Sequence, residues 1–454
     1  MLERVIAQLR NKQILVLGAG LTGMSCVRFL TSQQLACHVN DSRETIIENE
    51  EFSQMFPACS LSLGAWDHQK IHEAQIILVS PGIDLAAEGL IDHIAKDCQV
   101  IGDVELFCQI TDKPIIAVTG SNGKSTLVTL LTHIGTALGH KVALGGNIGV
   151  PVLEQLSDQI DCYILELSSF QLETLQSMNA VAASVLNVSD DHLDRHKTLE
   201  NYSEIKQRIY QQCETAVINR DDPLSFSQVN RQSKPVISFG SDGGKTGEFG
   251  LIHQDSKLYL ALGEEKLVSL EALPLAGVHN ALNYLAALAL GHCLGWPIEE
   301  MIRHLSSFKG LAHRCQRIAT SDNITWINDS KATNVGATLA AINGLSSTLI
   351  DNKLILIAGG DGKGADFSLL KTAINNAVSY VFTLGKDGEE IAKLTQNSQQ
   401  VGSLTEAVSL AKQQANAGDI VLLSPACASI DMFKNFAQRG DMFTDAVIAL
   451  QEAS

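Results

Sequence analysis

An excess of basic residues is missing from this chain. Its 454 residues carry 33 lysines and arginines against 50 aspartates and glutamates, a net charge of −17. That balance argues against a general nucleic-acid binder, a local basic site aside. Also missing is an apolar run approaching the roughly 20 residues that span a bilayer; the best stretch, Tyr284 to Trp296, is short and interrupted. Ten cysteines are present, but none forms a Cys-x-x-Cys pair, so neither a zinc site nor a disulfide framework is signalled. Scattered thiols suit a reducing compartment. Met1 to Gln13 lack the apolar core of a signal peptide, and no internal repeat or low-complexity tract occurs. Together these absences predict a cytoplasmic protein with no nucleic-acid or membrane partner. What is present is ordinary globular material, 45% hydrophobic and 18% charged, in a length that suits about three domains with ample core.

The chain is organised around Ile115-Ile116-Ala117-Val118-Thr119-Gly120-Ser121-Asn122-Gly123-Lys124-Ser125-Thr126. A strand-type run passes through a turn of glycine and small polar residues into a helical pattern. Backbone N–H groups at such a helix start point at phosphates, Lys124 adds a mobile charge, and Ser125 or Thr126 can reach magnesium. Position 118 is valine where the longer P-loop pattern has glycine, so only Gly-x-x-Gly-Lys-Ser-Thr holds. The chemistry predicts an ATP site.

Ahead of this loop, Gln13 to Leu17 reads as a strand, Gly18-Ala19-Gly20-Leu21-Thr22-Gly23 as a turn and Met24 to Ser32 as a helix. A second strand, Ala36 to Asn40, ends at Asp41. The glycines admit a pyrophosphate and the carboxylate takes ribose hydroxyls, for NAD or for another nucleotide diphosphate. The strand Gln75 to Val79 ends in Ser80-Pro81-Gly82, at the edge where open α/β sheets bind ligands. After the phosphate loop, strand and helix patterns alternate, predicting a parallel sheet flanked by helices. Gly145-Gly146-Asn147-Ile148-Gly149 could lie against a ligand. Cys162 to Leu165 leads into Glu166-Leu167-Ser168-Ser169-Phe170-Gln171-Leu172, and Ala182 to Asn187 into Val188-Ser189-Asp190-Asp191-His192. Glu166 and His192 suit magnesium, with Asp190 and Asp191 as competitors.

Farther on, Ile205 to Tyr210 reads as helix, with Lys206 a solvated lysine by pattern. Gly240 to Lys257 reads as a surface excursion before strands near Leu258 to Leu262 and Lys266 to Leu270. Asn280 and Asn283 share the first-turn face of an alanine-rich helix, to cap it or to bond an adenine edge. The last third carries Asn328-Asp329-Ser330-Lys331-Ala332-Thr333 at a strand end. Two further strands run into Gly359-Gly360-Asp361-Gly362-Lys363 and Pro425-Ala426-Cys427-Ala428-Ser429. The expected architecture is three consecutive α/β domains at 1–106, 107–310 and 311–454. The first and last are Rossmann-like and the middle one is a P-loop ATPase-like domain with a parallel sheet.

Over essentially its whole length the sequence resembles the Mur ligases, ATP-dependent enzymes that build the peptide of the bacterial cell-wall precursor. The short phosphate loop, Glu-Leu-Ser-Ser-Phe-Gln-Leu at Glu166 to Leu172 and Asn-Val-x-x-Asp-His-x-Asp at Asn187 to Asp194 carry the likeness. Gly359 to Phe367 and Ser424 to Phe443 resemble the member that adds D-glutamate. The Asp-Asn-Pro-Arg motif of the sibling adding a diamino acid or lysine is absent.

The resemblance implies a monomeric enzyme of peptidoglycan synthesis, and so of cell shape and division. It would join UDP-N-acetylmuramoyl-L-alanine to D-glutamate through an acyl phosphate, using ATP and two magnesium ions. Ser125 and Glu166 would serve one ion; His192 and a carbamylated Lys206 would serve the other. Lys331 and Thr333 would lie near the reacting phosphate and amine, Arg314 and Asp329 at ATP, and Asn280 and Asn283 toward adenine. Lys363, Ser429 and Phe436 would hold D-glutamate. Leu21, Thr22, Asp41, Ser42, Arg43 and Gly82 would bind the uridine diphosphate, with Asn147, Ser168 and Gln171 toward the muramoyl end. An NAD-dependent oxidoreductase explains only residues 14 to 41. A nucleotide-regulated binding module leaves three converging domains unexplained. Folylpolyglutamate synthase is the nearest rival among ligases, but it is expected to begin directly with its ATP domain.

Overall fold

In the computed structural model, which describes residues 1–255, 257–275, 277–346, 349 and 352–452, the strand-type runs gather into three sheets. The first contains β1 (Ile14–Leu17), β2 (His38–Asp41), β3 (Ser60–Leu63), β4 (Ile76–Val79) and β5 (Gln99–Ile101). Its order is β3-β2-β1-β4-β5, with every pair parallel. β1 and β4 are buried at every position, as strands covered on both faces must be. Because β2 and β4 flank β1, the chain leaves β1 and β4 around one crevice at their carboxyl ends. The helix after β1 begins at Leu21 rather than Met24. Gly23 permits this early start, since a Cβ there would lie 1.7 Å from the Gly18 carbonyl oxygen.

The central sheet runs β6 (Ile115–Thr119), β7 (Val142–Gly146), β8 (Cys162–Glu166), β9 (Ala180–Val185), β10 (Cys213–Asn219), β11 (Val236–Phe239), β12 (Phe249–Gln254), β13 (Lys257–Leu262) and β14 (Glu265–Ser269). Their order is β14-β13-β12-β11-β10-β9-β6-β8-β7, antiparallel only at the β12–β13–β14 end. β12 corrects the expected surface excursion over Gly240 to Lys257, of which Ser256 lies outside the described residues. Phe249 and Leu251 are buried on alternate positions of this strand, and the glycines and charges around them hide that pattern in sequence. The predicted helix at Ile205 to Tyr210 is instead the end of Leu199–Gln207 followed by a 3-10 turn, Arg208–Gln212. The helix Val278–Cys293 is apolar nearly all round and buried along Tyr284 to Leu290, where an all-apolar helix belongs. It packs on the helix Lys124–Ala137, so its first turn meets the phosphate loop.

The third sheet has β15 (Gln316–Ile318), β16 (Thr325–Asn328), β17 (Leu354–Gly359), β18 (Tyr380–Leu384), β19 (Ser398–Gln400) and β20 (Ile420–Leu423), ordered β15-β16-β20-β17-β18-β19. Only the β15–β16 pair is antiparallel. The expected first boundary, 106/107, falls inside a continuous helix, Asp103–Ile110. Its Glu105 carboxylate accepts from the Gln176 and Ser177 N–H groups at 2.7 and 2.9 Å and from Ser177 Oγ at 2.6 Å. Those bonds fix the connecting helix to the central domain.

Candidate active site

The phosphate loop leaves β6 at Thr119 and enters the helix at Lys124. Gly123 takes φ +83°, and a Cβ there would stand 2.9 Å from Asn283 Oδ1, so both backbone and space require glycine. The loop is braced by the segment after β9. Asn187 accepts the Ser121 N–H at its carbonyl, 2.9 Å, and the Asn122 N–H at Oδ1, 2.8 Å. Lys124 Nζ donates to the carbonyls of Gly120 and Ser121 at 2.6 and 2.9 Å. Ser125 Oγ donates to Glu166 Oε2 at 2.6 Å and accepts from Arg314 Nη2 at 2.7 Å. The arginine comes from beyond the central sheet, so the third domain reaches the loop directly. Glu166 Oε1 accepts from Asn147 Nδ2 at 3.0 Å.

Lys206 overturns the solvated reading: it is 1% exposed. Its Nζ donates to Gly120 O at 3.0 Å and Thr119 Oγ1 at 3.4 Å, and lies 4.4 Å from the Tyr202 ring centroid. Burial, and then the charge of Lys124, drive its pKa well down. The charges of Asp191 and Glu166 act against the shift without reversing it, so the amine is pushed toward its neutral form. Helical periodicity could not reveal this, because what buries the side chain is the end of β6, distant in sequence.

His192 stands in the left-handed region, φ 54°, at the head of the short helix Leu193–His196. Phe170 packs edge-on to its ring at 4.9 Å and receives the Arg195 guanidinium at 4.3 Å. Arg195 pairs with Glu173 and donates from Nη1 to Pro81 O at 3.1 Å, on the first-domain turn. His196 Nε2 meets Ser169 Oγ at 2.9 Å. Sequence reading gave no role to Arg195, since nothing in its spacing predicts a contact with Pro81. Arg195→Ala is expected to raise KM for a ligand of the first-domain crevice about tenfold while kcat falls less, the size of one lost charged bond. Steady-state kinetics check it; an unchanged KM removes the coupling.

One cavity lies at the first-domain crevice and brings together Leu21, Thr22, Asp41, Ser42, Arg43, Gly82, Asn147 and Gln171. Asp41 is already engaged, accepting from Ala19 N–H at 2.7 Å and from Arg43 Nη2 at 2.6 Å. Burial opposes its charge, but Arg43 and these N–H donors prevail and hold its pKa at about 2. Ser168 and Gln171 form a capping box, Ser168 Oγ accepting from Gln171 N–H at 3.2 Å and Gln171 Oε1 from Ser168 N–H at 3.0 Å. Gln171 therefore faces the cavity with its amide fixed by the helix start.

A second cavity joins Asn122, Gly123, Thr126, Asn280, Asn283, Arg314, Asp329 and Lys331. Gly277, and neither asparagine, is the N-cap residue of the helix that carries them. His279 and Gly336 also line it, and neither was singled out in sequence. Asp329 accepts from Ser424 Oγ at 2.9 Å and from the Cys315 N–H at 3.1 Å, while burial raises its pKa to about 6. Lys331 Nζ sits 3.9 Å above the Phe436 ring, joining two side chains expected in different roles. Thr333 donates its N–H to Lys331 O at 2.8 Å. Ser429 is buried and Lys363 exposed at φ 53°; neither lines the two cavities.

Burial, then Arg314, lowers the Lys331 pKa to about 8. Its ammonium is present below that pH and lost above it. If the charge serves an anionic substrate, kcat/KM falls as pH rises through about 8, and Lys331→Arg extends the plateau upward. A pH profile that is flat from 7 to 9.5 discounts the charge.

Among the described residues no three His, Cys, Asp or Glu side chains cluster as a metal cage. Ser125 and Glu166 offer oxygen donors of the kind magnesium prefers. Lys206 brings no oxygen donor of its own; a carbamate on its amine would supply the kind magnesium prefers.

Three-domain α/β architecture, a braced phosphate loop and a third-domain arginine on that loop define a class of nucleotide-using enzymes. Family models cover the chain in sequence: Mur ligase MurD-like N-terminal domain at 12–102, Mur ligase middle domain at 118–291 and Mur ligase glutamate ligase domain at 313–427. The chain belongs to the Mur ligase family. Among its relatives, the UDP-N-acetylmuramoylalanine–D-glutamate ligase of Colwellia psychrerythraea strain 34H is 54% identical, with 98% of each chain covered. Proteins of that name from Pasteurella multocida and Pseudomonas putida are 43% and 44% identical, over 96% and 95% of this chain and 98% and 96% of theirs. Solved structures share the fold. MurF from Acinetobacter baumannii has a TM-score of 0.64 at 16% identity over 98% of each chain. A type C pseudomurein peptide ligase from Methanothermus fervidus scores 0.61 at 19% identity, covering 97% of this chain and 100% of its own.

Proposed function

We propose that this chain is an ATP-dependent ligase adding D-glutamate to UDP-N-acetylmuramoyl-L-alanine in peptidoglycan synthesis. One observation carries the reading. Asn147 lines the first-domain cavity and bonds Glu166, which bonds Ser125 of the phosphate loop, which bonds Arg314 of the third domain. A uridine-linked substrate laid in the first cavity would thus end beside the nucleotide.

The substrate carboxylate attacks the γ-phosphorus of ATP, ADP leaves, and an acyl phosphate forms. The amine of D-glutamate then adds to the acyl carbon, and the tetrahedral intermediate expels phosphate. Two anions must approach in the first step, so Lys124 and Arg314 neutralise the triphosphate and hold the line of attack. Gly120 through Thr126 supply the cradle, Asn280 and Asn283 face adenine, and Asp329 orients Arg314. Leu21, Thr22, Asp41, Ser42, Arg43 and Gly82 take the uridine diphosphate, with Asn147, Ser168 and Gln171 along the muramoyl end. Lys331 and Thr333 attend the incoming amine; Lys363, Ser429 and Phe436 hold the carboxylates and stem of D-glutamate. Ser125 with Glu166, and His192 with Lys206 as a carbamate, would hold two magnesium ions. Such ions supply charge neutralisation of the phosphates. The lowered pKa of Lys206 supports the carbamate, since only the neutral amine adds to carbon dioxide.

Functional boundaries at 1–106, 107–310 and 311–454, a monomeric state and a cytoplasmic location complete the proposal. No described helix is long and apolar enough to cross a membrane. The test is phosphate release with UDP-N-acetylmuramoyl-L-alanine and ATP, comparing D-glutamate with L-glutamate, lysine and D-alanyl-D-alanine. Release with D-glutamate alone is the expected result; equal release with L-glutamate or lysine refutes the assignment.

A further inference from the structure

Two of the ten thiols stand apart from the chemistry above. Cys37 and Cys59 immediately precede β2 and β3, whose register begins His38↔Ser60, so they face each other across adjacent parallel strands. The Ser60 N–H donates to Cys37 O at 3.1 Å, and the two sulfurs are 3.5 Å apart. Thr31 Oγ1 lies 3.7 Å from Cys59 Sγ. Cys37 is buried while Cys59 is partly exposed. This is the arrangement of an attacking thiol open to solvent and a resolving thiol behind it. We propose that Cys37 and Cys59 form a reversible thiol-oxidation site that closes to a disulfide when a peroxide reaches Cys59.

The surroundings separate this pair from the other cysteines. Cys98, Cys293 and Cys315 are also partly exposed, yet burial raises the pKa of each. Cys59 alone among these four goes the other way, to about 6, chiefly through the hydrogen bond from Cys37. The thiolate is the nucleophile, so reagent is directed to Cys59. In the first step its sulfur attacks the peroxide O–O bond, giving a sulfenic acid and releasing hydroxide or alkoxide. In the second, the Cys37 sulfur displaces that hydroxyl. The S–S bond forms, the S–O bond breaks, and the Cys37 proton leaves with the hydroxyl as water. Two thiols are oxidised by two electrons and one peroxide is reduced. The sulfurs need only rotate about their side-chain bonds, because the strand pairing already holds the backbones together.

The bridge would tie the two ends of the segment 38–58, which carries Asp41, Ser42 and Arg43. Those residues lie at the far, carboxyl end of β2, so turnover should change less than twofold on oxidation.

The test uses the full-length protein treated with a small excess of hydrogen peroxide, then denatured and alkylated. The expected result is a fall from ten to eight alkylatable thiols with loss of two hydrogens. Peptide mapping should show one Cys37–Cys59 cross-link, and dithiothreitol should restore all ten thiols. Cys37→Ser should stop at a Cys59 sulfenic acid that dimedone traps, and Cys59→Ser should leave Cys37 reduced. Oxidation first at Cys98, Cys293 or Cys315, overoxidation of Cys59 without a cross-link, or the same loss of thiols in Cys37→Ser would each overturn the proposal.

Discussion

Lys124→Ala is expected to lower turnover about a thousandfold, the scale of removing a preorganised group that meets developing charge, and to leave no acyl phosphate detectable. Lys124 is the phosphate-loop cation. Its ammonium is held by Gly120 O and Ser121 O at 2.6 and 2.9 Å, within the loop itself. Burial lowers its pKa, and Glu166 and Asp191 act against that loss; an ammonium in so poorly solvated a place acts strongly on a phosphate. Removing it leaves the attacking carboxylate facing an unneutralised γ-phosphate. Rapid quench with borohydride, which reduces an acyl phosphate to an alcohol, reads the intermediate directly, and ADP release reads the first step. Unchanged intermediate in Lys124→Ala would take the lysine out of phosphoryl transfer. Lys124→Arg should recover little, because the larger planar fork does not fit between the two carbonyls.

Lys206→Ala comes second, with an expected loss of about a hundredfold, as for a ligand of a catalytic ion or its supporting contact. The distinguishing result is rescue. Formate or acetate added at millimolar concentration should restore part of the activity by occupying the space of the missing carbamate. The cavity left is bounded by Gly120 O, Thr119 Oγ1 and the Tyr202 ring, which suits a small carboxylate only if a cation stands opposite. Lys206→Met, of similar length and without the amine, should lose as much and respond less, having no vacant space. Absence of rescue, with the fold intact by circular dichroism, would argue that Lys206 works as an ammonium bound to Gly120. Dependence of wild-type turnover on dissolved carbon dioxide offers an independent check, because an unmodified lysine would show none.

Local chemistry wrote much of this molecule openly. The strand-to-helix passage at Thr119 to Lys124 is legible because glycine, small hydroxyls and lysine have few joint uses. Asn147, Glu166 and Ser125 could each be marked as a residue at a strand end or helix start, yet nothing local tells that the three touch. β12 is not legible in sequence because its buried positions, Phe249 and Leu251, are set among glycine and charge. Pattern misplaces Lys206 for a related reason: the helix face it occupies is buried by a strand end some 87 positions away.

From the amino-acid order alone came the three α/β units, the phosphate loop, the acidic balance and the family likeness, since hydrophobic period and turn chemistry act between near neighbours. Only the folded chain decided that Arg314 lies on Ser125, that Arg195 reaches Pro81, that Lys331 stands over Phe436 and that Cys37 faces Cys59. Those contacts are set by how sheets and helices pack against one another. Burial and charge pairing, which change what a lysine or a thiol can do, exist only after that packing has removed the water.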